Sequence, residues 1–134
     1  MANISIEKVS DFLTQIGEPI NSVCEDEVAG VALAQELCPG KPYCSVRGWT
    51  LVDLDISDAK KALVVEQGFQ PILLYAHTVV IDSARRFTPG DWVRSTLLVE
   101  LKNNYLFETN NSVYILLGAG SRKTADPVIV ASIF

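Results

Sequence analysis

Turn signals punctuate the second half of the chain at short intervals, and their spacing restricts the fold more than any other feature. Thr88-Pro89-Gly90-Asp91, Lys102-Asn103-Asn104 and Asn110-Asn111 separate four segments: Ile72 to Ile81, Trp92 to Leu101, Tyr105 to Thr109 and Ser112 to Leu117. Each segment is rich in β-branched and aromatic residues, the composition of a pleated, half-buried surface. A turn of two to four residues returns the chain antiparallel, because a parallel return needs a crossover of a dozen residues or more. The expectation after Gly68 is therefore antiparallel sheet, with an irregular link over residues 82–87 and the last three segments forming a meander.

The first half reads differently. Ile6, Val9, Phe12, Leu13 and Ile16 form one apolar stripe at helical spacing, with Ser5 as cap and Gly17 as stop. Ser22 and Glu25 match a capping box for a second helix ending near Leu37. Pro39, Gly40 and Pro42 make the next stretch a loop. Tyr43 to Leu54 is strand-like, with Gly48 at a bulge or a close contact. Ser57 caps a third helix that runs to about Gln67, and Gly68 closes it. At the other end, Gly118 to Ser121 ends the meander and Arg122 to Asp126 reads as exposed. The tail from Val128 to Phe134 is apolar. It is expected as a final edge strand, or as a contact with a partner chain through Val128, Val130, Ile133 and Phe134. The fold class expected is α+β, with N-terminal helices packed on a mostly antiparallel sheet. A strongly curved sheet approaching a small barrel is the variant.

Composition bounds the function. With 134 residues, 49% of them hydrophobic, the chain can bury a core as a single domain, residues 1–134. Eleven Lys and Arg against sixteen Asp and Glu give a net charge of −5, which argues against a nucleic-acid backbone partner. No apolar run approaches the roughly 18 residues of a membrane span. The first residues lack a basic segment ahead of an apolar core, so the cytoplasm is the expected compartment. Cys24, Cys38 and Cys44 are odd in number and contain no CxxC spacing, so three reduced, partly buried thiols are expected in preference to a zinc site completed by His77.

Few residues suggest chemistry. His77, the sole histidine, would serve as a general base if a cysteine met it and Asp53 or Asp55 oriented it; a hydrogen-bonded sheet histidine is the simpler reading. Asp53 and Asp55 share a strand face and would hold a divalent ion only with further ligands such as Asp58. Gly118, Gly120, Ser121, Arg122 and Lys123, with Arg94 nearby, carry the donors of an anion-binding turn, although the pattern matches neither standard phosphate loop. Arg85, Arg86, Arg94, Arg122 and Lys123 would form a basic side beside Trp92, Tyr105, Phe107 and Tyr114, yet strand aromatics usually pack in cores. Nothing in the sequence calls for a cofactor or a metal.

Two stretches carry a resemblance. They are Gly90-Asp91-Trp92-Val93-Arg94-Ser95-Thr96 and Leu106 to Gly118, followed by Gly120 and Arg122-Lys123. Gly48-Trp49 and Leu51 to Asp55 extend the pattern. Over its last two thirds the chain resembles a family of small uncharacterised bacterial and prophage-encoded proteins. The resemblance implies no established activity and transfers no catalytic or ligand residue. It implies phage-linked biology, including interference with a host defence or regulatory protein. Apolar content, net acidity and the apolar tail make a non-enzymatic protein-binding, inhibitor or accessory protein the leading expectation, with a protein partner or self-association. The alternatives are a domain for a nucleotide-like anion and a small hydrolase-like enzyme using His77.

Overall fold

The computed structural model describes residues 17–21, 23–128 and 130. The helix expected from Ser5 to Ile16 lies outside the described residues, as do Ser22, Ile133 and Phe134. Among the described residues up to Ala125, two helices and eight strands follow in the order β1 (Glu18–Ile20), α1 (Glu27–Leu37), β2 (Tyr43–Leu54), α2 (Asp58–Glu66), β3 (Ile72–Asp82), β4 (Val93–Arg94), β5 (Glu100–Lys102), β6 (Leu106–Glu108), β7 (Val113–Leu116) and β8 (Gly120–Ala125).

The long strand β2 organises the sheet. On one side it runs antiparallel to β3, from Cys44 opposite Asp82 to Asp53 opposite Ile72. On the other it lies parallel to two strands in succession: Tyr43–Val46 beside β7, then Thr50–Leu54 beside β8. The sheet is therefore mixed, while the meander expected from the last three segments is present as β5–β6–β7. Turn spacing fixed the hairpins but carried no information about which distant strand the last segments would join.

The sheet also curls until its pairings close a ring. β3 pairs with β4, and the chain then changes partners: Leu98 N donates to Ile72 O in β3, and Val99 N donates to Glu108 O in β6. This hand-over splits the single strand expected from Trp92 to Leu101 into β4 and β5. Pairings of β5 with β6, β6 with β7 and β7 with β2 complete the circuit. A closed circuit hides the strand edges that would invite aggregation. Its interior holds Val46, Trp49, Leu51, Leu74, Phe107 and Leu116. Each such burial contributes about 1.5–3 kcal/mol. β7 is buried on both faces, because Val113 and Ile115 point outward under α1, against Ala34 and Cys38.

The helix ends show which local signals win. The cap of α1 is Asp26, whose carboxylate accepts from Val28 N at 2.9 Å, four residues beyond the expected Ser22. The Cys24 carbonyl already accepts from Gly118 N, so it is not free to begin a helix. Ser57 caps α2 as expected, accepting from Lys60 N. Yet α2 has no buried residue, and Leu63 and Val65 are 57% and 62% exposed. The stretch read as an exposed turn end, Gly120–Ala125, is strand β8. The tail expected as an edge strand begins as helix: Pro127, Val128 and Val130 are helical, Asp126 caps them through Val128 N at 2.7 Å, and Val130 N bonds Asp126 O. Asp followed by Pro is a helix-start signal, and it overrides the β-branched composition behind it.

Candidate functional site

The site grows from a coincident break in neighbouring strands. β2 kinks at Gly48, whose φ of +62° an L side chain rarely adopts. Alongside, the chain from β7 to β8 breaks at residues 117–119 and absorbs one extra residue: Tyr43 faces Val113, but Thr50 faces Ser121. The break leaves the Leu117 and Gly118 carbonyls without strand partners. Trp49 fills the gap, and its indole N–H lies 3.2 Å from both oxygens. The ring lies so close to Gly120 that a Cβ there would sit 2.3 Å from it. A glycine in β8 is thus a packing requirement of Trp49.

Alternation along the strands then sorts the side chains. Trp49, Leu51, Leu74, Ala76 and Val93 point into the barrel. The intervening residues point outward: Thr50 on β2, Tyr75 and His77 on β3, Arg94 on β4, Ser121 and Lys123 on β8. Arg94 stands opposite Tyr75, and Thr50 lies between Tyr75 and Ser121. Trp92 precedes β4 and is 50% exposed. Its ring centroid lies 6.2 Å from that of Tyr75, which meets the His77 ring edge-on at 4.9 Å. The Tyr75 hydroxyl is 3.1 Å from His77 Nδ1. Burial pushes the Tyr75 phenol up, so it keeps its proton.

The same alternation divides the residues expected to form one anion-binding turn. Ser121 and Lys123 face outward, and the Ser121 hydroxyl bonds that of Thr50 at 3.1 Å. Arg122 faces the other way and grips Asp53 with two hydrogen bonds of 2.6 and 2.7 Å. Gly118 lies in the break, and Gly120 lies under Trp49. Arg94 stays on β4, on the outer face. The basic side expected from five residues is likewise dispersed, since Arg86 is held by Asp82 and Ser112. Of the four aromatics offered for stacking, Phe107 and Tyr114 are core residues and Trp92 is outside. Tyr75 was missed because it sits in an apolar run. Of the apolar tail, Val128 is exposed while Val130 is buried against Val52 and Ala125.

His77 is exposed on the outer face, because Tyr75 and His77 alternate with the inward Leu74 and Ala76 along this part of β3. The cysteines are elsewhere: all three are free and buried, Cys44 inside the barrel and Cys24 and Cys38 under α1. Burial, followed by the nearby Asp82 charge, pushes the Cys44 thiol up to about 12, and burial also raises Cys24 and Cys38. Such thiols are protonated and poor nucleophiles at neutral pH. Among the described residues, no three His, Cys, Asp or Glu side chains gather as a metal-holding group. No described helix is long and apolar enough to cross a membrane.

A family model described as a domain of unknown function, DUF6957, matches residues 21–132. The chain belongs to the DUF6957 family. Among curated proteins and among solved structures, nothing matches. The DUF6957 match spans both halves of the strand break, the outer aromatic cluster and α1, so the geometry described above falls within the family's domain.

Proposed function

We propose that this DUF6957 chain is a non-enzymatic binding protein that acts on another protein through its outer sheet face. The cluster of exposed Trp92 and His77 around half-buried Tyr75, flanked by Arg94, carries this reading. Trp, Tyr and Arg dominate the binding energy of protein interfaces, because they pair large rigid area with a polar handle. Here they share one rigid sheet surface, which needs little ordering on contact. The reading extends to a cytoplasmic protein of bacterial or prophage origin whose target is a host defence or regulatory protein, with self-association as the other form of partnership. That extension draws on the resemblance and on net acidity, which suits a basic partner surface. The test compares wild-type protein and Trp92→Ala as baits in bacterial lysate, alongside solution mass measurement. Capture of one stoichiometric partner, or a dimer, that Trp92→Ala abolishes supports the reading. A monomer whose captures are the same for both baits refutes it.

A further inference from the structure

One cleft beside the outer aromatic cluster gathers hydrogen-bond donors of several kinds. It lies where β2 kinks beside the break between β7 and β8, has a volume of about 450 Å³, and is bordered by Gly48, Thr50, His77, Gly120, Ser121 and Lys123. This volume falls in the range of small-molecule sites. Among the described residues, no acidic side chain lines this cleft. By contrast, the cleft near Tyr43 and Phe87 contains both Asp82 and Arg85.

Three kinds of donor converge on the cleft. Lys123 supplies an ammonium that is partly dehydrated, and this lowers its pKa. The bonded hydroxyls of Thr50 and Ser121 use one hydrogen between them and leave the other to donate. His77 supplies the third. With the Tyr75 phenol donating to Nδ1, the neutral ring carries its hydrogen on Nε2; the protonated ring carries one there too. Gly48 adds no side chain beside His77, where a Cβ would lie 3.3 Å from the His77 Cβ.

We propose that this cleft binds a small phosphate-class oxyanion, free or carried as a phosphomonoester, through Lys123, the Thr50–Ser121 hydroxyl pair and His77. The ligand's several oxygens match donors that come from three strands, which a two-oxygen carboxylate would leave partly unused. This site shares His77 with the protein-binding surface around Trp92, but oxyanion binding does not require that surface to find a partner.

The test is a titration of the full ¹⁵N-labelled chain, observed by NMR at constant ionic strength. One arm uses inorganic phosphate, a second uses a nucleoside monophosphate, and a third uses acetate. Expected are saturable shifts over residues 48–50, 77 and 119–123 with the phosphate probes, and weaker effects with acetate. Tighter binding in the second arm assigns the ligand as a phosphomonoester, and equal binding assigns free phosphate. Lys123→Ala weakens binding by about tenfold or more, while Lys123→Arg and Lys60→Ala on remote α2 stay within about threefold of wild type. Should Lys123→Ala fail to fold, His77→Phe is expected to weaken binding in its place. Shifts that do not saturate, that scatter over the surface, or that survive Lys123→Ala or His77→Phe in a folded protein overturn the proposal.

Discussion

Replacing Gly120 by alanine tests the strand break that builds both surfaces. The added Cβ would meet Trp49 ring atoms at 2.3, 2.4 and 2.5 Å, so the ring or the strand must move. Trp49 is 2% exposed, and its N–H serves the two carbonyls released by the break, so displacement has two costs. Overpacking a full core costs about 1–3 kcal/mol. Weakening the shared hydrogen bond adds about 1 kcal/mol, for a total of about 2–4 kcal/mol. Urea unfolding would show this as a lower midpoint at unchanged slope. The mechanism also predicts strong coupling. With Trp49→Ala in place there is no ring to strike, so adding Gly120→Ala should cost less by about 2 kcal/mol than it does in wild type. A loss for Gly120→Ala below about 0.5 kcal/mol, or additive losses in the double variant, would refute the packing account.

Three further outcomes follow from the same geometry. Burial pushes the Asp82 carboxyl up, but hydrogen bonds from the Arg86 side chain and backbone, the Arg86 charge and the Phe87 N–H outweigh it, so it titrates below its usual range. Glu108 is lowered likewise by Lys41 and Lys102 against its burial. A depressed carboxylate contributes stability above its unfolded pKa and loses it as pH falls through the folded value, so the melting temperature should drop below about pH 4 and Asp82→Asn should flatten that acid limb. Asp82→Asn should also cost about 2–3 kcal/mol at neutral pH, discounted for the partly exposed Arg86; a loss under about 0.5 kcal/mol contradicts the buried pairing. With all three cysteines buried, a thiol-reactive dye at pH 8 should label native protein slowly and denatured protein at all three positions; rapid native labelling of Cys44 refutes its placement. Because Leu63 and Val65 on α2 are mostly exposed, Leu63→Lys should change stability by less than about 0.5 kcal/mol, whereas a larger loss would show that this helix has a partner face.

Much of the fold was legible where local chemistry decides it. Tyr43–Leu54 stands as read, Ser57 caps its helix, and Gly48 marks the kink. The misreadings share a cause: each involves a choice between distant partners. Residues 93–102 look uniform, yet they pair first with β3 and then with β6. Gly120–Ala125 is too polar to announce a strand, and it becomes one because β2 offers it a free edge beyond the break. The site was half legible for the same reason. His77 and the Gly118 to Lys123 segment each attracted notice, but only the kink in β2 beside the break between β7 and β8 brings His77, Ser121 and Lys123 to one cleft, and strand alternation sends Arg122 to Asp53 instead. Tyr75 gave no signal, because an outward tyrosine within an apolar run differs from a buried one only through its register.

The central claim is that the outer face around Trp92 is where a partner binds. Amide hydrogen exchange of the free chain and of its purified complex or dimer tests it directly. Slowed exchange confined to residues 73–78 and 91–95, with α2 unchanged, is the predicted footprint. Protection centred on α2 or α1, with residues 73–78 exchanging as in the free chain, would contradict the claim.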